Sequence, residues 1–383
     1  MNFVFNFDTP PILSPLAVVW FLLVAVLWIG YLVLEGFDYG VGMLIPFLAK
    51  NEKERRVMIN TIGPVWDGNE VWLLTAGGAM FLAFPAWYAT LFSGLYLPLF
   101  LVLVGLIIRG VSFEYRSKNP GTTWRNAFDW MAAIGSFLVP LVFGVGFANF
   151  VIGLPVVADP NNPALYVVAS DAANIGVTPY FWELFSPFGL LGGIAVVALC
   201  LFHGLIYLSV KTKGEIKDRA KGLAKIVGCI TIVGGAVFLI CQNLFWAPVY
   251  LSGLNWILVA VAAVALIVAW LNVGRGLAFT CSAVAWLAVA LGIFIRMLPT
   301  LGFVDAATRT SFTDAANPSI DTLLGLNIFS AASQDSTLMI ALVAALIMVP
   351  IVLAYTIWAY WVFRRPVGVS NIPDDIEVEA VPA

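Results

Sequence analysis

The sequence predicts an all-α polytopic membrane protein with about nine transmembrane helices. Two observations support this fold class. Of the 383 residues, 61% are hydrophobic and 11% are charged, whereas about a quarter of the residues of an ordinary soluble domain are charged. Apolar runs also recur along the chain, and each approaches the roughly 20 residues that a helix needs to cross the hydrocarbon core of a bilayer.

Nine such runs divide the chain. They lie at 12–34, 66–84, 86–109, 128–154, 187–210, 224–246, 251–271, 277–297 and 338–363. Because only Pro85 separates the second run from the third, these two spans are expected to form a tight hairpin. We expect residues 1–154 to form one four-helix bundle and residues 187–297 a second, with a peripheral ninth helix at 338–366.

The distribution of basic residues predicts the orientation. Lys and Arg are enriched in cytoplasmic loops, and 17 of the 19 basic residues, Arg109 among them, are assigned to connections on one side of the predicted membrane. This places the N-terminus outside and the C-terminus in the cytoplasm. The long loops at 155–186 and 298–337 then lie outside, and the acidic end at 367–383 is expected to be a disordered cytoplasmic tail.

Composition and charge argue against several function classes. The net charge of −3 provides no basic stripe for nucleic acid. The four cysteines stand alone without metal-site spacing, so no metal site is predicted. His203 is the only histidine and cannot by itself supply a bis-histidine haem pair. We expect it to be a hydrogen-bonded interior residue.

Polar residues at the start of the second span are the first candidates for function, because ionisable groups in membrane spans are costly. Asp67, Asn69 and Glu70 follow one another closely between Trp66 and Trp72. The remaining apolar stretch is too short to span a bilayer, so the helix must begin near these residues. Asp67 could cap that helix, or the group could form a proton entrance on the cytoplasmic side.

A second group of candidates follows the first span. Glu35 and Asp38 are three residues apart and therefore share one helix face, either within the protein or at an end that meets water. The glycines at 36, 40 and 42 have the spacing that lets helices approach closely. A cytoplasmic-edge cluster completes the set, in which the charges could pair or could serve only as interfacial anchors: Arg109, Glu114, Arg116 and Asp129.

Two segments, EGFDYGVGML at 35–44 and PVWDGNEVW at 64–72, closely resemble subunit II of the cytochrome bd quinol oxidases. YRSK at 115–118 and WRN at 124–126 extend the resemblance through the first four spans. SPFGLL at 186–191 and the aromatic helix at 355–361 are also similar to that family, while the middle of the chain is generic membrane sequence.

The resemblance implies a non-haem subunit in an oxidase complex of the bacterial cytoplasmic membrane, which oxidises quinol, reduces oxygen to water and generates protonmotive force without pumping. A partner subunit I would carry haems b558, b595 and d, small single-helix subunits are possible further partners, and a structural quinone is a possible ligand. Asp67 and Trp72 match positions that line a proton path in the family. The supporting polar residues are Asp38, Glu70, Arg109 and Asp129.

Two other functions remain open from the residues. Three predicted spans are interrupted by proline, at Pro98, Pro140 and Pro350. Secondary transporters use such broken helices to form their binding sites. The chain could also serve only as a structural assembly subunit. Purification without a haem-bearing partner would favour a transporter, and full activity after Asp67→Asn would favour the assembly role.

Overall fold

The computed structural model describes residues 14–160, 162–169, 177–246, 252–298, 300–306 and 326–373. In these ranges the chain is mainly helical, which confirms the all-α polytopic class. Eight of the described helices are long and apolar enough to cross a membrane. A further helix, α3 (Trp66–Ala83), is less apolar because it begins with Asp67, Asn69 and Glu70.

The first four predicted spans correspond to five long or medium helices and one surface helix. α1 (Pro15–Leu48) is followed by α2 (Glu52–Ile62), α3, α4 (Pro85–Gly94), α5 (Tyr96–Tyr115) and α6 (Thr122–Ile152). The third predicted span is thus divided at Leu95 into α4 and α5. α1 continues 14 residues beyond the predicted end of its span, so Glu35 and Asp38 lie inside a continuous helix.

α3 runs antiparallel to α1. Near its start Asn69 contacts the backbone at Leu34, and one turn later the ring of Trp72 lies against Gly30. The far end of α3 accepts a hydrogen bond from the backbone N–H of Ser333, just before the last helix. α3 therefore runs beside α1 through the bundle.

The second half of the chain contains α7 (Val177–Glu183), α8 (Pro187–Lys211), α9 (Glu215–Phe245), α10 (Ser252–Leu271), α11 (Gly276–Met297) and α12 (Asp335–Val362). α8 packs against α9 and α11 and also against α1 and α6. These contacts join the two halves along the length of α8. α12 packs only lightly, against α1 and α3, and Leu338 is its one buried side chain among the described residues.

The glycines of α1 let neighbouring helices approach it closely. The Cα hydrogens of Gly36, Gly40 and Gly42 face Trp286 of α11, the backbone of α8 and Ser136 of α6 respectively. A Cβ on Gly40 would lie 2.1 Å from the carbonyl oxygen of Cys200. The prediction that these glycines serve helix packing is therefore confirmed.

A small sheet closes one end of the molecule, which we name the sheet end. β1 (Leu154–Asp159) pairs with β2 (Asn162–Val168) in antiparallel fashion and with β3 (Phe303–Asp305) in parallel, in the order β2-β1-β3. The strands belong to the two long loops predicted outside the membrane. Those loops therefore fold over one end and meet there.

The opposite end, which we name the basic end, brings together α2, the turn after α5, the connections α8–α9 and α10–α11, and the C-terminal segment. Lys213 N–H donates to the carbonyl of Val367 at 3.1 Å, and Val367 N–H donates to the carbonyl of Lys211 at 2.9 Å. Predicted disorder from residue 367 is therefore wrong for 367–372, since Ile372 is 8% exposed and packs into the core. Residues 374–383 lie outside the described ranges.

Candidate functional site

Glu35 and Asp38 are fully buried on the face of α1 that meets α3 and α5. The alternative that they lie at a water-exposed helix end is wrong, because α1 continues to Leu48. Burial of two carboxylates is unfavourable unless cations or donors compensate. Their partners come from two other helices.

Arg109 supplies the compensating charge. Its side chain, counted from the sequence as part of a loop, is fully buried in α5. Nη1 forms ion pairs with Glu35 and, at 2.6 Å, with Oε1 of Glu70. The side chain of Glu70 is 23% exposed, so this carboxylate connects the buried ion pair of Arg109 and Glu35 to the protein surface.

Aromatic rings enclose the guanidinium of Arg109. Its Cζ lies 4.7 Å from the ring centroid of Tyr39, 5.4 Å from that of Phe113 and 5.8 Å from that of Trp66. Ring faces attract a cation and exclude water at the same time. The ion pairs of Arg109 thus lie in surroundings of low polarity, where charge interactions are strong.

Asp38 is held by a different donor. Asn69 Nδ2 donates to Oδ2 of Asp38 at 2.6 Å and to the carbonyl of Leu34 at 3.3 Å. The phenol of Tyr360, on α12, donates to Oδ1 of Asn69 at 2.9 Å. We name Glu35, Asp38, Asn69, Glu70 and Arg109 the buried polar cluster.

Asp67 and Trp72 lie beside this cluster. Asp67 is exposed in the first turn of α3, one turn before Glu70 and on the same side of the helix. It does not cap the helix, because the N-cap residue is Val65 and no side-chain cap is formed. Trp72 is half-buried, and its ring fills the space that the missing side chain of Gly30 leaves on α1.

Asp129 belongs to a separate network at the basic end, so the predicted single cluster of Arg109, Arg116 and Asp129 is divided in two. Arg116 bonds Asp129 at 2.6 and 3.1 Å and Glu52 of α2 at 2.8 Å through two nitrogens. Arg55 also lies 3.2 Å from Asp129. Glu114 is exposed.

The network at the basic end fixes α2 against α5 and α6. Partial burial would raise the pKa of Glu52, but the hydrogen bonds and charge of Arg116, with Arg125 and Arg55 nearby, hold this pKa below its ordinary value. Glu52 is therefore a charged anchor at neutral pH. Its arrangement suits structural pairing more than proton exchange.

Sequence reasoning missed Tyr360, and it named Glu35 and Asn69 as candidates without including them in the final set of site residues. Glu35 and Asn69 stood next to chosen residues, and a polar residue on the buried face of a span could have identified both. Tyr360 lies 291 residues from Asn69 in the sequence. Only its position in the aromatic segment of α12 marked it.

His203 occupies an interior position, as expected. Its Nδ1 lies 2.7 Å from the hydroxyl of Ser282 and its Nε2 lies 3.2 Å from the carbonyl of Val33. The ring stacks on Phe279 with centroids 4.7 Å apart. Both nitrogens are thus engaged, and His203 does not fit the role of a haem ligand. Among the described residues no His, Cys, Asp or Glu group is placed to hold a metal ion.

An apolar cavity of about 800 Å³ lies between α1, α3, α4, α5 and α6. Trp28, Phe143 and Phe147 form its inner wall, and Leu103 is a partly exposed residue at its rim. Trp87 also lines it; this residue is 2% exposed, and its indole N–H has no acceptor among the described residues. The cavity is therefore lined almost entirely by apolar groups, and the indole N–H of Trp87 is itself buried.

Comparison with known proteins decides the family. The family model of cytochrome bd terminal oxidase subunit II matches residues 16–363, nearly the whole chain. The chain belongs to this family. Membership makes it subunit II of a cytochrome bd oxidase, a respiratory quinol oxidase complex.

Individual relatives agree with the family match. Subunit 2 of the cytochrome bd ubiquinol oxidase of Bacillus subtilis is 37% identical over 354 residues, which cover 91% of this chain and 96% of the relative. Subunit 2 of the cytochrome bd-I ubiquinol oxidase of Escherichia coli K12 is 37% identical over 377 residues, covering 90% and 93%.

A solved structure shares the fold. A chain of the bd oxidase from Geobacillus thermodenitrificans superposes with a TM-score of 0.69 at 17% identity, covering 92% of this chain and 100% of that one. At this identity the likeness concerns the fold alone.

Proposed function

We propose that this chain is the non-haem subunit of an oxidase that couples quinol oxidation to reduction of oxygen to water, and that its buried polar cluster carries protons inward from the basic end. The observation that carries this proposal is the full burial of Glu35 and Asp38 beside Arg109, with Glu70 reaching the surface. Three carboxylates against one guanidinium leave excess negative charge, which is relieved when the cluster holds a proton.

The proposed route has a surface entry and a buried end. Asp67 is exposed at the basic end and collects protons, and Glu70, one helical turn later, accepts them. Arg109 bonds both Glu70 and Glu35, so a proton arriving at one carboxylate changes the charge that the other experiences. The ring of Trp72 fills the space between α3 and α1 next to this route.

The proposed partners follow from the family and from the chemistry of the chain. Haems b558, b595 and d are assigned to a haem-bearing subunit I, since His203 is already engaged in hydrogen bonds. Protons taken up at the cytoplasmic side, together with quinol protons released outside, would generate protonmotive force without pumping. The site of action is the bacterial cytoplasmic membrane, with small single-helix subunits as further partners.

Asp67→Asn in the assembled complex tests the route. We expect quinol-driven oxygen consumption to fall about tenfold or more, because a positioned proton-transfer group typically contributes about a hundredfold or more to a rate, while the haem content stays normal. Glu70→Gln should have a similar effect. The measurement is turnover per haem with quinol as donor.

Asp218→Asn is the matched control, because Asp218 is exposed at the basic end in the first turn of another membrane helix, α9. It should leave turnover unchanged. Wild-type turnover of Asp67→Asn with normal haem content would remove the relay role and leave the assembly role as the better description.

The apolar cavity is proposed as the place of a structural quinone. Its volume and apolar wall suit an isoprenoid chain. No redox role is assigned to a quinone at this place; it would stabilise the packing of α3 to α6.

Gly146→Leu tests this cavity, because Gly146 lines it and has open space where a side chain would extend. Quinone extracted from the purified complex should fall at least about fivefold relative to wild type, since the new side chain occupies volume that the ligand needs. Gly234→Leu, at a similarly open position on α9 away from the cavity, is the control. Equal quinone content in the two variants would contradict the assignment.

A further inference from the structure

Among the described residues, Tyr360 is the α12 side chain that hydrogen-bonds to the buried polar cluster. It lies on the periphery of the molecule, and only 6% of its most apolar stretch is buried. Its exposed side chains are largely apolar, as in a helix facing lipid or another membrane protein. Tyr360 departs from this pattern, since its phenol turns inward to Asn69 and its ring lies edge-on to Phe37 at 6.4 Å.

Asn69 links Tyr360 to Asp38 through a chain of hydrogen bonds in which each residue donates to the next. Its Nδ2 donates to Asp38 and to the carbonyl of Leu34, while its Oδ1 accepts from Tyr360. The carbonyl of Leu34 and an ionised Asp38 are acceptors, so the NH2 group of Asn69 must face them. Its oxygen then faces the phenol of Tyr360. Asn69 is 2% exposed, so water does not replace a lost partner readily.

Asp38 receives its hydrogen bond from Asn69, whereas Glu35 and Glu70 pair with Arg109. The titratable groups that interact electrostatically with Asp38 come from five helices: Glu35 on α1, Glu70 on α3, Arg109 on α5, Tyr207 on α8 and Tyr360 on α12. The ion pairs of Arg109 go to Glu35 and Glu70. Among the described residues the hydrogen bond to Asp38 therefore comes from Asn69.

We propose that Tyr360 is a positioning residue: its phenol fixes the carboxamide of Asn69, which in turn holds Asp38 in the geometry required for proton transfer. The inference rests on the proposed proton function of the buried polar cluster. It assigns α12 a part in proton transfer although this helix contributes no carboxylate to the cluster. It also means that displacement of α12 would loosen Asp38 without touching Arg109.

Tyr360→Phe tests the inference in the assembled complex, because it removes the hydroxyl and keeps the ring against Phe37. We expect turnover at neutral pH to fall about threefold to tenfold, the effect of weakening one buried hydrogen bond. The acidic limb of the pH–rate profile should move to higher pH, since a carboxylate with a weaker donor binds its proton more readily. Haem content should stay normal.

Tyr355→Phe is the matched control, because Tyr355 lies on the same helix, is 64% exposed and lies beside Trp358, with ring centroids 6.0 Å apart. Its turnover and pH profile should equal those of wild type. A profile of Tyr360→Phe that superimposes on wild type, while Asp38→Asn is slow, would overturn the positioning role.

Infrared difference spectra separate this inference from the proposed function. The carboxyl band of Asp38 is identified by its loss in Asp38→Asn, and it should shift in Tyr360→Phe and not in Tyr355→Phe. An unshifted band overturns the positioning role alone. Wild-type turnover of Asp38→Asn would overturn the proton function of Asp38, and the inference with it, whatever the band shows.

Discussion

Arg109 keeps its charge inside the membrane because its surroundings replace water. Glu35 and Glu70 provide the counter-charge, and the rings of Tyr39 and Phe113 cover the guanidinium. Two of the three carboxylates of the cluster are bonded to one nitrogen of a single residue. Removing Arg109 would therefore leave two uncompensated carboxylates in the interior, one of them fully buried.

We predict that Arg109→Leu destabilises the complex by about 3–5 kcal/mol, the usual result of breaking a buried ion pair from one side. Arg109→Lys should lose less, since it keeps the charge and gives up only the fork of donors. Thermal unfolding of the detergent-solubilised complex measures both. Arg275→Leu serves as the comparison, because Arg275 is exposed and hydrogen-bonds Asn272 within one turn. Equal unfolding midpoints for Arg109→Leu and Arg275→Leu would refute the prediction.

At the scale of elements, the crossing of α1 and α8 joins the two halves of the chain. Gly40 and Gly204 meet there, so that a Cβ on Gly204 would lie 2.6 Å from the carbonyl carbon of Gly40. The two backbones approach closely because neither residue carries a side chain, and such contacts provide the van der Waals packing that holds helices together in lipid. Glu35 and Asp38 lie just before this crossing on α1 and depend on its geometry.

We predict that Gly40→Ala lowers the stability of the complex by about 1–3 kcal/mol or more, since the added methyl group overpacks a contact with backbone that has no room to yield. Gly235→Ala on α9 adds the same methyl group where nothing lies within 4 Å. That variant should be neutral or slightly stabilising, because alanine favours a helix over glycine. Comparable yields of assembled, haem-containing complex for the two variants would speak against the crossing as a critical contact.

At the scale of the whole molecule, the basic end is tied together across long sequence distances. Arg116 binds Glu52, Arg219 pairs with Glu54, and the segment after α12 bonds the connection between α8 and α9. The C-terminal segment 367–372 thus fastens the lightly packed α12 to α8, although among the described helices α12 packs mainly against α1 and α3. Ile372 inserts into the hydrophobic core at its end.

We predict that a chain ending at Arg365 unfolds at a temperature several degrees lower than a chain ending at Pro373, because it lacks two backbone hydrogen bonds and the buried side chain of Ile372. The chain ending at Pro373 should match the full-length protein. Thermal unfolding of the purified complex is the measurement. Identical midpoints for the two truncated chains would show that segment 367–372 contributes nothing to stability.

The sequence by itself determined the class and the arrangement of the loops at two ends. These properties depend on local hydropathy and on the side of the membrane where Lys and Arg fall, and both can be read residue by residue. It also identified Asp38, Glu70 and Arg109, because charged residues in membrane spans are rare enough to be conspicuous.

Only the tertiary structure decided how these residues are grouped. It separated Asp129 from Arg109, left Asp67 on the surface and connected Asp38 through Asn69 to Tyr360. The physical reason is distance along the chain. Arg109 and Glu70 are 39 residues apart and Tyr360 and Asn69 are 291 apart, so their pairing depends on which helix faces meet when the bundle packs, and no local pattern records that choice.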